Sequence, residues 1–183
     1  MLDRYLIEHC SPTLASIKTA NLFSCSFERE RDLEEQIREC NINMADKGIT
    51  LLVLKKTEKA ALVYVCRPDK LARDLKKPGV AAFLKKAGYE ETDALHAIGH
   101  LKERIANTDS FPHEIGLFLS YPLGDVIGFI KNAGKNSKCS GCWKVYVNEC
   151  EAIRTFARYD KCKSVYKRLF GQGRSVLQLT VAA

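Results

Sequence analysis

The chain has 183 residues, of which 46% are hydrophobic and 28% are charged, and this composition is ordinary for a folded protein with one full core. The longest apolar runs fall far short of the roughly 20 residues that a membrane-spanning helix needs, which excludes that class. The first ten residues include Asp3 and Glu8 and lack the apolar region of a signal peptide. We therefore expect a cytoplasmic protein with no membrane partner, whose eight cysteines are thiols, metal ligands or redox groups.

The net charge of +7 is unevenly distributed along the chain. Residues 55–86 contain ten Lys or Arg and three acidic residues, so the net positive charge of this segment alone equals that of the whole chain. A basic segment can attract nucleic acid or another anion. Because lysines dominate it and aromatic residues are few, we favour a solvated face. Binding of an anion or of nucleic acid through 55–86 is the weaker alternative.

The predicted elements begin with a helix over "SPTLASIKTANLF", with Ser11 as its N-cap and Pro12 at its first position. A second helix is predicted over about 28–41. The stretches "ITLLVLKK" and "AALVYVCR" then predict two strands of a hairpin that turns at 57–59. Three more helices are predicted, over "DKLARDL", "VAAFLKKAGY" and "EETDALHAIGHLKERIA".

The stretch over 113–130, "HEIGLFLSYPLGDVIGFI", is compatible with strands or with helices, since periodicity does not separate them in short apolar runs. After it, "WKVYV" predicts a strand, "ECEAIRTFARYDKCKSVYKRLFGQG" a long amphipathic helix and "SVLQLTVA" a closing strand. This order predicts an α+β fold. We expect a single domain over 1–183, with a mostly antiparallel sheet of about four or more strands packed with about six helices.

Three stretches are distinctive: "HCSPTLASIK", "PHEIGLFLSYPLGDVIGFI" and "CSGCWKVY". Together with the ending "KCKSVYKRLFGQGRSVLQLTVAA", they resemble a bacterial family catalogued as domain of unknown function number 3793, over essentially the whole chain. The resemblance implies a bacterial cytosolic protein from an anaerobe. It implies no activity and no site residues, so the function has to be argued from the chemistry of the residues.

Cys10, His113 and Asn132 form the first candidate catalytic site. Cys10 directly precedes the predicted helix start, where free amide groups and the macrodipole favour a thiolate. His113 is a candidate base and Asn132 a candidate orienting group, in the order found in papain-like enzymes. The tryptophan expected after the nucleophile is missing, and three structural residues are the more frequent case. A strand beginning at His113 would favour the enzyme, whereas a helix would leave Cys10 without its base.

Cys139 and Cys142 form a C-x-x-C loop, which is a common half of a zinc or iron–sulfur site because both thiolates reach one metal. Further ligands would have to come from elsewhere in the chain, from His9, Cys10, Cys66, Cys150 or Cys162. A redox dithiol is an alternative, although the motif here precedes a predicted strand and not a helix. Two ordinary loop thiols are the more frequent case.

His96 and His100 lie four residues apart on a predicted helix, a spacing that can bind a metal, but a pair of surface histidines is more frequent. Weighing these signals, we expect a cysteine-dependent binding or carrier protein. Its ligand would be zinc, iron or a metal-centred cofactor, or its thiols would do redox chemistry with a small molecule or protein partner. The alternative is a papain-like thiol hydrolase or transferase using the first candidate site.

Overall fold

The computed structural model describes residues 1–90, 93–108 and 111–182. In chain order its elements are α1 (Leu2–Leu14), β1 (Ala20–Ser26), α2 (Glu30–Met44), a 3₁₀ turn (Ala45–Lys47), β2 (Thr50–Lys56), β3 (Ala60–Cys66), α3 (Pro68–Leu75), α4 (Pro78–Lys86), α5 (Ala94–Asn107), α6 (Ile115–Phe118), α7 (Leu123–Lys131), β4 (Cys139–Ser140), β5 (Lys144–Val145), α8 (Glu149–Gly171) and α9 (Val176–Leu179).

Several helix starts follow from local sequence signals. Pro68 and Pro78 occupy the first positions of α3 and α4, where the missing N–H of proline has no cost. Asp93 caps α5 by accepting hydrogen bonds from two backbone amides. Asn148 caps α8 by accepting from the amide of Glu151. These caps satisfy amide groups that a helix leaves without an internal partner.

The central sheet is antiparallel in the order β1-β3-β2, and helices cover both of its faces. Side chains of β3 alternate between the two faces, as strand geometry requires. Val63 and Val65 join a core cluster built with α1, α2 and α9. Tyr64 and Cys66 join a second cluster, built with the helices from α3 to α7. Both faces of the sheet are therefore buried.

Arg67 is a buried clamp at the end of β3, with only 1% of its surface exposed. Its guanidinium donates hydrogen bonds to the carbonyls of Thr13, Leu14, Lys47 and Val181. The clamp joins the end of α1, the 3₁₀ turn and the segment after α9. It fixes the loop that follows α1, which carries Lys18.

Helix α8 packs along α1, and its buried residues Ala152, Tyr159 and Tyr166 form a narrow stripe. These residues are seven positions apart, as in a helix that touches its neighbour along one seam. The small β4–β5 hairpin packs against α7. No helix within the three described ranges is both long and apolar enough to cross a bilayer.

The α+β class and the antiparallel sheet in one compact domain are confirmed, but the predicted N-terminal helix is wrong. Helix α1 ends at Leu14, near the predicted start, and Ala20–Ser26 form the edge strand β1. Ser11 donates its hydroxyl to the Ile7 carbonyl and so acts inside the helix, not as its N-cap. Pro12 lies in the last turn, and its carbonyl accepts from the amides of the following turn.

Two predicted strands near the C-terminus are also corrected. "WKVYV" contributes only Lys144–Val145 to a two-residue ladder, because the following amides bond to a side chain, as described below. "SVLQLTVA" contains the short helix α9, which Ser175 and Gln178 begin with a reciprocal capping box. The ambiguous stretch over 113–130 forms the helices α6 and α7.

Candidate functional site

Cys10 lies in the C-terminal half of α1 and is fully buried in the core cluster beneath the sheet. Burial raises the pKa of its thiol well above the ordinary value, and the charge of Lys18 opposes this shift. The C-terminal half of a helix carries the negative end of the macrodipole, which also disfavours a thiolate. The structure therefore gives Cys10 the surroundings of an inert core thiol.

The structure does not bring Cys10, His113 and Asn132 together. His113 is exposed and meets the ring of Phe129 edge-on, with 5.1 Å between the ring centroids. Asn132 directly follows α7, and its side-chain amide donates to the carbonyl of Gly128 in that helix. Because helix α6 begins two residues after His113, the strand that would have supported a papain-like site is not present there.

Cys139 and Cys142 lie in the β4–β5 hairpin, with Cys142 in the turn that joins the two strands. All eight cysteines of the chain are free thiols. Across residues 1–90, 93–108 and 111–182, no three His, Cys, Asp or Glu side chains are grouped so that they could hold a metal ion. The metal site remains a prediction that rests on the C-x-x-C spacing alone.

The other two predicted features have structural surroundings of their own. His96 is exposed and its Nδ1 lies 3.1 Å from the Asp93 carboxylate, while His100 meets the ring of Tyr89 edge-on. In the basic segment 55–86, the Lys56 ammonium pairs with two glutamates of α2. Arg67 of that segment is the buried clamp. Part of the positive charge in the segment is thus already engaged within the fold.

Asp125 fixes the β4–β5 hairpin on α7. Its carboxylate is 3% exposed and accepts three hydrogen bonds from the hairpin. One comes from the Trp143 indole N–H at 2.8 Å, and two come from the backbone amides of Tyr146 and Val147 at 2.7 and 3.0 Å. A buried carboxylate needs such donors, because burial without them is strongly unfavourable. Asp125 therefore determines where the Trp143 ring lies.

Two glycines on α7 allow the hairpin to approach closely. A Cβ on Gly128 would collide with the ring of Tyr146, and a Cβ on Gly124 would collide with Val147. The two glycines are four residues apart, so they lie on one face of the helix. Tyr146 then packs directly against the helix backbone, and the hairpin closes one side of a cavity.

The cavity, which we call the aromatic pocket, has a volume of about 340 Å³ and lies between α6, α7 and the hairpin. Its lining residues are Phe111, Pro112, His113, Ile115, Gly116, Tyr121, Asp125, Val126, Phe129, Ser140, Gly141, Trp143 and Lys144. The Trp143 and Tyr121 rings stack with 4.9 Å between centroids, and Phe156 supports the indole edge-on from α8. The pocket thus has rigid aromatic walls.

Two basic side chains lie at the rim of the aromatic pocket. Lys144 is exposed, donates to the Gly134 carbonyl at 2.5 Å and lies 6.0 Å from the centroid of the Phe129 ring. His113 lines the same pocket and is also exposed. Asp125 is the acidic member of the lining, but its two oxygens already accept three hydrogen bonds. Hence the Lys144 ammonium is the charge that the rim offers to a ligand.

Sequence reasoning selected His113 but missed Asp125, Trp143 and Lys144. A signal for Trp143 was present, since it is the one tryptophan of the chain and directly follows the C-x-x-C motif. The spacing of Gly124 and Gly128 was a second signal, because it marks a helix face open to close packing. Nothing in the sequence indicated which element Asp125 would hold.

Comparison with known proteins gives a family and no function. The family model described as "Protein of unknown function (DUF3793)" matches residues 6–180. No curated protein matches the chain. No solved structure matches it either. The matched segment contains all three stretches that meet around the aromatic pocket and the loop after α1. The chain therefore belongs to the family of proteins of unknown function DUF3793.

Proposed function

We propose that this protein binds a small molecule with a flat apolar body and an acidic group, and that the aromatic pocket is the binding site. The observation that carries the proposal is a concave site with aromatic walls and two basic side chains at its rim. The proposal retains the binding or carrier role that the sequence predicts. The proposed role of the C-x-x-C hairpin is to form a wall of the pocket, since Ser140 and Gly141 line it.

The walls support a flat ligand. Small-molecule sites are concave, largely apolar and commonly several hundred Å³ in volume, with a few polar groups that fix the orientation of the ligand. The aromatic pocket has these properties, at about 340 Å³. Rings such as those of Trp143 and Phe129 favour offset-stacked or edge-on contacts with another ring. A planar molecule of one to three rings fits this description.

The charge supports an acidic group on the ligand. Lys144 and His113 are the basic members of the lining, and the segment 131–174, which contains Lys144, carries eleven Lys or Arg and three acidic residues. A positive surface raises the local concentration of anions and speeds their association. An acidic group at the rim would accept a charge-assisted hydrogen bond from Lys144.

We further propose that the protein acts in the bacterial cytoplasm. The eight cysteines are all free, which fits a reducing compartment. Neither the aromatic walls nor the basic rim needs an oxidised thiol for ligand binding.

The test uses Trp143 as a built-in reporter, because it is the one tryptophan and lines the pocket. The probe is 1-anilinonaphthalene-8-sulfonate, a flat aromatic anion, titrated while indole fluorescence is recorded. We expect saturable quenching and about tenfold weaker binding in Lys144→Gln, since a charge-assisted hydrogen bond contributes about 1.5 kcal/mol or more. Lys135→Gln, which removes an exposed charge outside the pocket lining, is the matched control and should bind as the parent does.

A second probe separates charge from shape. N-Phenyl-1-naphthylamine has the same rings without the sulfonate, so its affinity should be equal in the parent and in Lys144→Gln. Sulfonate binding that leaves Trp143 emission unchanged, or that weakens equally in both lysine variants, would contradict the proposal.

A further inference from the structure

One exposed face of α8 carries three evenly spaced cations. They are Arg154, Lys161 and Arg168, which lie seven residues apart and are all exposed. Each follows a member of the narrow buried stripe of this helix by two positions. Two steps turn an α-helix by about 200°, so each cation points away from the buried side. Seven residues rise by about 10.5 Å, so the three cations span about 21 Å along the helix.

Between the cations, the same face has small side chains. Ala157 and Ser164 each follow a cation by three residues and are exposed. The Ser164 hydroxyl donates back to the Asp160 carbonyl at 2.9 Å, so it lies close to the helix backbone. Positions three and four apart share one face of a helix. The outer face therefore alternates long cationic and short side chains. We call these five residues the basic strip, which consists of Arg154, Ala157, Lys161, Ser164 and Arg168.

The acidic residues near the basic strip are engaged elsewhere. Glu151 accepts a hydrogen bond from the side chain of Asn148, the cap of α8, at 2.9 Å. The Asp160 carboxylate lies 3.9 Å from the Lys163 ammonium. Residues 161–183 contain no Asp or Glu. In the part of the chain that the structure describes, no ion pair joins a cation of the strip to a carboxylate. The strip therefore presents three uncompensated positive charges to solvent.

The helix dipole does not account for the basic strip. A cation is favourable in the last turn of a helix, where the partial charge of the backbone is negative, and Arg168 lies in that turn. Lys161 lies in the middle of α8, where this effect has faded. Arg154 lies towards the N-terminal end, whose partial charge is positive and disfavours a cation. Because neither of these two charges stabilises the helix, an external anion is the partner that they fit.

We propose that the basic strip binds the phosphate backbone of double-stranded nucleic acid, independently of base sequence. A duplex repeats its charge along a stiff line, and the length of the strip corresponds to about six base pairs. Arginine and lysine donate charge-assisted hydrogen bonds to phosphate oxygens. The small side chains between them let the backbone of a duplex approach the helix. This activity is separate from ligand binding in the aromatic pocket, since no residue of the strip lines that pocket.

The composition of the basic strip favours a duplex over a single strand and over a membrane. Sites for single strands add aromatic side chains on which the bases stack, and the strip has none. A helix that binds a membrane surface inserts its apolar face, whereas the apolar stripe of α8 is buried within the fold. The strip offers charge alone, and charge is what binding of a duplex without sequence preference requires.

The experiment measures the fluorescence anisotropy of a labelled DNA duplex of about twelve base pairs between about 20 and 200 mM salt. The logarithm of the affinity should fall with the logarithm of the salt concentration with a slope of about −2.7 or steeper, since each neutralised phosphate contributes about −0.9. Lys161→Gln should make the slope shallower by about one. The triple variant Arg154→Gln, Lys161→Gln, Arg168→Gln should lose at least about tenfold in affinity at low salt. An RNA duplex of the same sequence shows which of the two sources of phosphate binds more tightly.

The matched control removes three exposed lysines of the segment 55–86, in Lys55→Gln, Lys59→Gln, Lys76→Gln. It has the same net charge as the strip variant, and it should keep most of the parent affinity and the parent slope. Both triple variants should bind the naphthalene sulfonate at Trp143 equally well, which shows that the fold and the aromatic pocket are intact. Equal loss of duplex binding in the two triple variants would overturn the proposal, because binding would then follow net charge alone. So would a parent protein that binds no duplex at low salt, or that binds phosphatidylserine vesicles more tightly than either duplex.

Discussion

At the scale of single residues, Asp125 controls the aromatic pocket more directly than any residue that touches only its rim. One carboxylate oxygen accepts hydrogen bonds from two backbone amides of the hairpin, and the other accepts one from the Trp143 indole N–H. Asn in its place keeps the shape, but its NH₂ group would face the indole N–H, and two donors cannot bond to each other.

We expect Asp125→Asn to lower the free energy of unfolding by about 1–3 kcal/mol, because a buried donor loses its acceptor. Trp143 emission should shift to longer wavelength as the ring becomes more hydrated. Urea denaturation followed by circular dichroism measures the first effect. Asp160→Asn, on the exposed side of α8, is the control and should change stability by less than about 0.5 kcal/mol. Equal stability of the two variants would show that the hairpin does not depend on Asp125.

At the scale of elements, the pocket depends on how closely the hairpin approaches α7. The Tyr146 ring lies where a Cβ on Gly128 would be, so the contact is between a ring and a helix backbone. Gly99 provides a comparison, since it is also inside a helix and a Cβ there would meet nothing within 4 Å. Alanine at either position raises the helix propensity. Only at Gly128 does the added Cβ disturb the packing.

Gly99→Ala should therefore stabilise the protein by roughly 0.5–1 kcal/mol. Gly128→Ala should destabilise it by about 1–3 kcal/mol, as overpacking does, and should displace the hairpin and weaken binding of the naphthalene sulfonate. Thermal unfolding and the fluorescence titration give the two readouts. If both alanines stabilise the protein and binding is unchanged, the close approach of hairpin and helix is not what forms the pocket.

At the scale of the whole molecule, buried tyrosines couple the fold to alkaline pH. Burial raises the pKa of five of the seven tyrosines, and these five are Tyr64, Tyr89, Tyr121, Tyr159 and Tyr166. An unfolded chain ionises its tyrosines near pH 10. Between that pH and the raised folded values, the unfolded state loses protons while the folded state keeps them, so stability falls as pH rises.

We expect constant stability from these groups below about pH 9 and a steep fall above pH 10, with up to about 1.4 kcal/mol per pH unit from the fully buried Tyr64. Circular dichroism and absorbance at 295 nm should change together on titration. Tyr166→Phe should make the fall shallower. If these tyrosines ionise near pH 10 while the circular dichroism stays unchanged, the coupling between their burial and stability is contradicted.

The sequence was most informative where local signals and tertiary contacts agree. The β2–β3 hairpin and the helices α3, α4, α5 and α8 were predicted close to their observed ranges, since alternation, initial prolines and helical spacing act locally. The prediction for the region after Cys10 was wrong because a proline such as Pro12 is compatible with either the first turn of a helix or its end. The pairing of β1 with β3 makes this region a strand, and β3 is about 40 residues away in the sequence.

The site was only partly predictable for the same reason. His113 was selected because it opens a distinctive motif, and it does line the aromatic pocket. The contact between the Lys18 ammonium and the Tyr121 ring joins residues more than 100 positions apart, and nothing local to Lys18 indicates that it is buried. Its burial depends on α8 covering the loop after α1, a contact that only the folded chain provides.

The most direct measurement of the central claim is the nuclear magnetic resonance signal of the Trp143 indole N–H, which is unique in the chain. This N–H bonds to Asp125 at the wall of the aromatic pocket. Addition of 1-anilinonaphthalene-8-sulfonate should shift the signal saturably, with about tenfold weaker binding in Lys144→Gln and no change in Lys135→Gln. A signal that stays in place while the sulfonate binds elsewhere would contradict the assignment of the pocket as the ligand site.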